Sequence, residues 1–155
     1  MRGKRFILSL VVIAVVVAIV TLFWVKDGGY NVGDYYYCGD KEGIVFEVWD
    51  DGRHGKIVAL HDAGEAMTWE EAQSWCQSLG DGWHLPFKLE LMSICRNREL
   101  IGNALSKYGR DLSNDYYWSI TRHKGNSSWF VNMHGGFTFY GDREGVLCVR
   151  AVSTF

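Results

Sequence analysis

The rhythm of hydrophobic and polar positions changes several times along the chain, and each change predicts a different element. Residues 6–25, "FILSLVVIAVVVAIVTLFWV", form an apolar run of 20 residues without a charge, preceded by the basic "MRGKR". As a helix the run is about 30 Å long, the thickness of a bilayer's hydrocarbon core. It ends in bulky Phe23, Trp24 and Val25, where a cleaved signal peptide would have small residues, so a retained single-pass anchor is expected. Trp24 suits the membrane interface, and Arg2, Lys4 and Arg5 hold the tip, residues 1–5, in the cytoplasm. A linker over 26–32 then leads to a domain at 33–155, outside the cytoplasm in the periplasm or at the cell surface.

"KDGGYNVGDYYYCGDKEG" reads as a Gly- and Asp-rich stalk. After it, Ile44, Phe46 and Val48 alternate with Val45, Glu47 and Trp49, and "DDG" supplies turn chemistry, which predicts two strands in a hairpin. "TWEEAQSWCQSLG" opens a helix: Thr68 and Glu71 form a capping box, Trp69, Ala72, Cys76 and Leu79 share one face, and Gly80 stops it. Pro86, the one proline, fits the first turn of a second helix, where its missing N–H leaves no partner unsatisfied, and so sets the corner between two helices. That helix runs on through Leu89, Met92, Leu100, Ile101, Ala104 and Leu105 to the neighbourhood of Gly109. From residue 116 the pattern shortens to aromatic and β-branched segments, "YYWSITR", "SSWFVNM", "GGFTFYG" and "VLCVRAVSTF", which predict strands. Strands, two helices and further strands make an α+β domain.

Charge narrows the partners. Setting aside the three basic residues before the anchor, 13 Lys and Arg face 18 Asp and Glu, a net charge of −5. That argues against nucleic acid, whose binding rests on cationic contacts. Seven Trp and eight Tyr instead supply core and recognition surface. Cys38, Cys76, Cys95 and Cys148 are widely spaced and give no metal signature. One or two disulfides fit an oxidising compartment, and buried free thiols are the alternative. The five His show no zinc-protease spacing, "GDGWHLP" lacks the following Lys–Ser/Thr of a phosphate loop, and no catalytic cysteine setting is visible, so neither metal nor cofactor is expected.

The chemistry that remains lies in the C-terminal loops. "TRHKGNSS" offers Thr121, Arg122, His123, Lys124 and Asn126 without core periodicity. "NMHGGFTFYGDREG" places His134, Phe137, Phe139, Tyr140, Asp142 and Arg143 close in sequence. Tyr, Phe and Arg anchor interfaces, and binding residues concentrate on loops held by a rigid scaffold. Phe137 and Phe139 share one strand face, so burial of both in the sheet is the competing reading.

"WEEAQSWCQSLGDGWHLPFKLEL" resembles the helix-plus-"GWRLPT-x-EL" segment of bacterial C-type-lectin-like domains, in particular the family named for the C-terminal domain of a bacterial collagen-like adhesin. "GIVFEVWDDGRHGKIVAL" is similar to that family's leading hairpin, "YYWSITR" to its "YWSST" strand, and "SSWFVNMHGGFTFYG…VLCVRAV" to its ending. The resemblance covers most of residues 33–155. It implies a C-type-lectin-like fold with two helices and a mostly antiparallel sheet, its terminal strands close together and its ligand loops in the C-terminal half. It also makes a Cys76–Cys148 bridge conceivable, and the alternation of Cys148 with Val149 is the signal against it.

Departures matter as well. His84 replaces the usual Arg, Phe87 replaces the Thr that would cap the second helix, and the calcium motifs of animal lectins are missing. Some relatives are the variable proteins of diversity-generating retroelements. On that pattern "TRHKG", "MH" and "FTFYGDREGVLC" match exchangeable positions, while Trp118, Trp129, Val131, Gly136 and Arg150 match the scaffold. The reading that follows is a membrane-anchored, calcium-independent recognition domain, adhesin- or receptor-like, for a surface protein or glycan. It is not expected to be an enzyme. The rivals are an envelope hydrolase with a carboxylate or thiol, and a structural subunit of a surface assembly.

Overall fold

The computed structural model describes residues 28–108 and 112–155. The basic tip, the apolar run expected to anchor the chain, the first two linker residues and Gly109 lie outside the described residues. No helix among the described residues is long and apolar enough to cross a membrane.

A four-stranded antiparallel sheet forms the base, in the order β1 (Tyr35–Cys38), β2 (Lys41–Trp49), β3 (His54–Ala59), β7 (Val152–Thr154). The expected hairpin is β2–β3. It turns through Asp50, Asp51 and Gly52, all at positive φ, a conformation that Asp tolerates and Gly adopts freely. A side chain at Gly52 would meet the Tyr30 carbonyl at 2.3 Å, because the Tyr30 N–H donates to the Gly52 carbonyl at 2.8 Å. The stretch read as a stalk thus folds against the domain from Tyr30 onward and supplies β1. Tyr30 and Tyr36 also close on Phe155, with ring centroids 5.1 and 4.3 Å away, so the entry of the chain meets its C-terminus.

Ile44, Val45 and Phe46 are all fully buried, where alternation had suggested one buried face. The reason is that both faces of this sheet are covered, which turns an alternating strand into a continuous apolar run. Ile44, Phe46, Val58 and Val152 join one core with Leu91, Ile94, Ile101, Leu105, Tyr117 and Met133. Val45, Ile57 and Ala59 join a second with Trp69, Ala72, Cys76, Trp83, Leu85 and Trp118.

Among the described residues the α-helices number three, not two: α1 (Trp69–Ser78), α2 (Lys88–Arg96) and α3 (Arg98–Ser106). The Thr68–Glu71 capping box opens α1 as expected. The long second helix is broken at Asn97, whose backbone leaves the helical region and whose side chain donates to the Ser93 carbonyl at 3.2 Å. The buried rhythm runs on across the break, from Leu91 and Ile94 to Ile101 and Leu105, which is why the sequence reads as one helix. Leu89 and Leu100 instead face outward, 71% and 55% exposed.

Pro86 does not sit in a helical turn. It precedes Phe87, the cap residue, and ends an extended segment in which His84 exchanges backbone hydrogen bonds with Val152 at 2.9 and 3.0 Å. Proline holds its predecessor Leu85 extended, and its own carbonyl accepts from the Ile120 N–H at 2.8 Å. The corner therefore joins the base sheet to α2 and to a second sheet of three strands, β4 (Tyr116–Arg122), β5 (Ser127–Asn132) and β6 (Thr138–Asp142). Residues 147–151 run between the two sheets, bonded to Met67, Ala63, Ala59 and Trp118.

Candidate functional site

The β4–β5–β6 sheet decides where the expected ligand residues go. The His123 N–H donates to the Ser127 carbonyl at 2.8 Å, closing the β4–β5 turn, and Trp129 pairs in register with Tyr140. On that face His123 stacks on Tyr140 with centroids 4.0 Å apart, and Trp129 stands edge-on to both at 5.1 and 5.5 Å. The Lys88 ammonium lies 4.0 Å from the Trp129 ring centre. Tyr140 is 57% exposed, so the cluster opens to solvent. Its rings are fixed by mutual contact and its rim carries a hydroxyl, an imidazole and an ammonium, a mixture suited to recognition.

Thr121 positions one of these groups. Phe87 has no side-chain acceptor for the first amides of α2, and the Thr121 hydroxyl takes that role, accepting from the Lys88 N–H at 2.9 Å. The Phe87 N–H donates to Glu90 Oε2 at 2.8 Å. The cap that Thr would have given at position 87 is thus supplied from β4, and it sets Lys88 beside Trp129.

The remaining expected residues divide into separate groups. Arg143 lies 4.2 Å and Arg122 5.5 Å from the centre of the Trp69 ring. Arg143 also donates from Nε to Ser128 Oγ at 2.8 Å, so its guanidinium is committed to the fold. Asn126 Nδ2 donates to Asp142 Oδ1 at 3.1 Å, tying the β4–β5 turn to the end of β6, while Lys124 is exposed at the tip. His134 lies at the opposite end of the sheet, in the β5–β6 turn, where it lines a cavity of about 360 Å³ with Met92, Cys95 and Arg96. Phe139 faces away from Tyr140, stacked on Phe130 at 5.8 Å, and is 43% exposed; Phe137 is 69% exposed. Burial of both in the sheet does not occur.

Trp129 and Lys88 escaped the sequence reading. Trp129 looked like scaffold, and Lys88 lies in a helix far away in sequence. The signal available was the pairing of a Trp-bearing strand with "FTFYG", since alternation places Trp129 and Tyr140 on one side.

Two charged clusters lie inside the domain. Glu90, 5% exposed, meets Lys56 Nζ at 3.1 Å and His84 Nε2 at 3.5 Å. The hydrogen bond that His84 donates to Glu90 raises the His84 pKa, against the opposing effect of burial. Burial pushes the Glu90 carboxyl up, but bonds from His84, the Phe87 amide and Lys56 outweigh it and hold the carboxyl below its usual range. Asp62 pairs with Arg150 and accepts from the Tyr117 hydroxyl at 2.8 Å.

All four cysteines are free. The conceivable Cys76–Cys148 bridge is not formed, because Cys76 packs in the core with Trp69 and Trp83 while Cys148 packs against the other one. Burial pushes the Cys76 thiol up to about 12 and, with Asp115 and Asp62 nearby, the Cys148 thiol to about 11. Both keep their proton at neutral pH, which is the wrong state for a thiolate nucleophile.

A family model described as the Lcl C-terminal domain matches residues 22–153. No curated protein matches the chain. Among solved structures, the crystal structure of botrocetin is 13% identical, covering 79% of this chain and 95% of that chain with a TM-score of 0.39. The crystal structure of the snake venom toxin convulxin is also 13% identical, covering 81% of this chain and 97% of that chain, again with a TM-score of 0.39.

Proposed function

We propose, from the premise that this chain belongs to the Lcl C-terminal domain family, that it is a recognition domain binding a glycan or protein ligand without calcium. The apolar run at 6–25 tethers it, with the domain outside the cytoplasm. The observation that carries this reading is the open His123–Trp129–Tyr140 face with Lys88 upon it. The face is built before any ligand arrives, so little side-chain entropy is lost on binding. Tyr and Trp add broad contact area with polar tips, the composition of interface hot spots. The lack of animal-lectin calcium motifs favours direct contact over a bridging ion.

The test is a binding screen of the full chain in detergent against surface glycans and envelope proteins, with and without chelator. Tyr140→Ala and Lys88→Met should each weaken the ligand found by about tenfold or more, ~1.4 kcal/mol, with thermal unfolding unchanged. Binding that needs calcium, or that ignores both changes, would remove this face from consideration.

A further inference from the structure

The indoles of this protein differ in what lies on their faces. Trp69 has two arginines and Trp129 has Lys88. Trp49 lies against His54, and Trp118 against Phe130. Trp75 and Trp83 have neither a cation nor a ring partner among the described residues. Both line a cavity of about 200 Å³, together with Leu79, His61, Asp40 and Glu42.

Several elements build this cavity. Trp75 and Leu79 are four residues apart at the end of α1 and so share a side. Trp83 follows after the helix stops at Gly80, whose φ is +125°. A Cβ there would lie 3.2 Å from Asp40 Oδ2, so glycine lets that carboxylate rest against the turn. Asp40 comes from the β1–β2 turn and Glu42 from the start of β2, where one carboxylate oxygen accepts from the Tyr35 hydroxyl. Neither acid is in an ion pair among the described residues. Lys41, between them in sequence, is engaged elsewhere: its ammonium donates to the Thr154 carbonyl at 2.9 Å.

We infer that this cavity binds a small organic cation, an alkylated ammonium group, with Trp75 and Trp83 as its aromatic wall and Asp40 and Glu42 as its counter-charges. An aromatic face attracts a cation through its quadrupole, and the attraction grows as water is excluded. No Lys or Arg lines the cavity to compete, and an anionic ligand would meet two carboxylates. Its volume is below the ~300–1,000 Å³ of drug-sized pockets, which suits a headgroup or the end of a side chain. The site is separate from the His123–Trp129–Tyr140 face: it is built from α1 and the β1–β2 turn, and either can fail without the other.

The experiment titrates the full chain, in an uncharged maltoside detergent, with choline and with its neutral isostere dimethylbutanol, following tryptophan fluorescence and calorimetric heat. Choline should bind at least about tenfold tighter than the isostere, and Trp75→Ala or the Asp40→Asn/Glu42→Gln pair should remove that preference. The carboxylate changes are at exposed positions, so an unchanged thermal transition shows that they report on the site and not on folding. A second arm compares phosphocholine with acetylated trimethyllysine. Stronger binding of the latter identifies a side-chain source, and stronger binding of phosphocholine identifies a headgroup source. Equal affinity for choline and its isostere, or affinity indifferent to the carboxylate pair, overturns the inference.

Discussion

The two sheets of this domain are built from similar residues and put them to different use. In the four-stranded sheet, aromatic and β-branched side chains are enclosed on both faces, with Ile44, Val45, Phe46, Ile57 and Val58 all at 0% exposure. In the three-stranded sheet, Trp118 and Val131 are buried on opposite faces, one in each core, while Phe139 and Tyr140 on the edge strand remain 43% and 57% exposed. The first sheet is covered on one face by α2 and α3 and on the other by α1 with Trp83, Leu85 and Trp118. The second buries a residue on each face near β4 and β5 and is open along its edge strand β6, so the aromatics there hold one another through stacked and edge-on pairs. Stability therefore resides chiefly in the first sheet, and the surface free for recognition in the second.

The sharpest way to break this contrast is to delete one aromatic from each sheet. Phe46→Ala removes a fully buried ring between α3 and the base sheet and should cost about 3–5 kcal/mol, enough to threaten folding. Phe139→Ala removes a ring already half in solvent and should cost less than about 1 kcal/mol. Denaturant unfolding of both variants measures the difference. Similar losses would mean that the outer sheet is as integral to the core as the base.

A smaller effect tests how the sheets are joined. Thr121→Val keeps the shape of the side chain and removes the hydroxyl that accepts from the Lys88 amide, so α2 should lose about 1 kcal/mol of capping. Thr68→Ala removes the cap of α1 and should cost a similar amount. The two should part company in binding: Thr121→Val also frees Lys88 from its place over Trp129, whereas Thr68→Ala leaves the recognition face alone. Matched unfolding and ligand titrations of the pair show whether the distinction holds.

What could be read from the sequence depended on how local the physics is. Thr68 and Glu71 are three residues apart, so the start of α1 is written in one turn of chain. The "DDG" turn is local too, and the strands from Tyr116 onward carry their own aromatic and β-branched signature. The break at Asn97 is hidden because no Gly or Pro marks it and the buried rhythm continues across it. The run Ile44–Phe46 looked alternating because the sequence does not say that both faces will be covered. Within the recognition face, His123 and Tyr140 were legible as polar loop and strand residues. Lys88 was not, since its role depends on a hydrogen bond to Thr121, 33 positions away. Arg143 was read as a contact residue, but its bonds to Ser128 and its place on Trp69 exist only once β5 and α1 meet. Cys76 and Cys148 show the same limit: the resemblance suggested a bridge, and the division between two cores decided against it.

The last and smallest expected effect concerns the buried charges where the base sheet meets α2. The folded-state pKa of His84 is raised above its ordinary 6.5 by the bond to Glu90, so its contribution is complete below 6.5 and disappears as pH climbs through the raised value. The Glu90 carboxyl is held below its ordinary 4.5, so its contribution is present above 4.5 and disappears as pH falls through the lowered value. The pair is jointly stabilising in a window bounded at both ends: acid closes it through Glu90 and mild alkali through His84. His84 is 31% exposed, and Lys56 still faces Glu90 after the imidazole loses its proton, so the alkaline loss should stay below about 1 kcal/mol. Stability measured from pH 5 to pH 9 should show that decline in the wild type, and His84→Gln should flatten it. A decline that survives this change would place the titrating group elsewhere and leave the corner at Pro86 held by backbone bonds and packing alone.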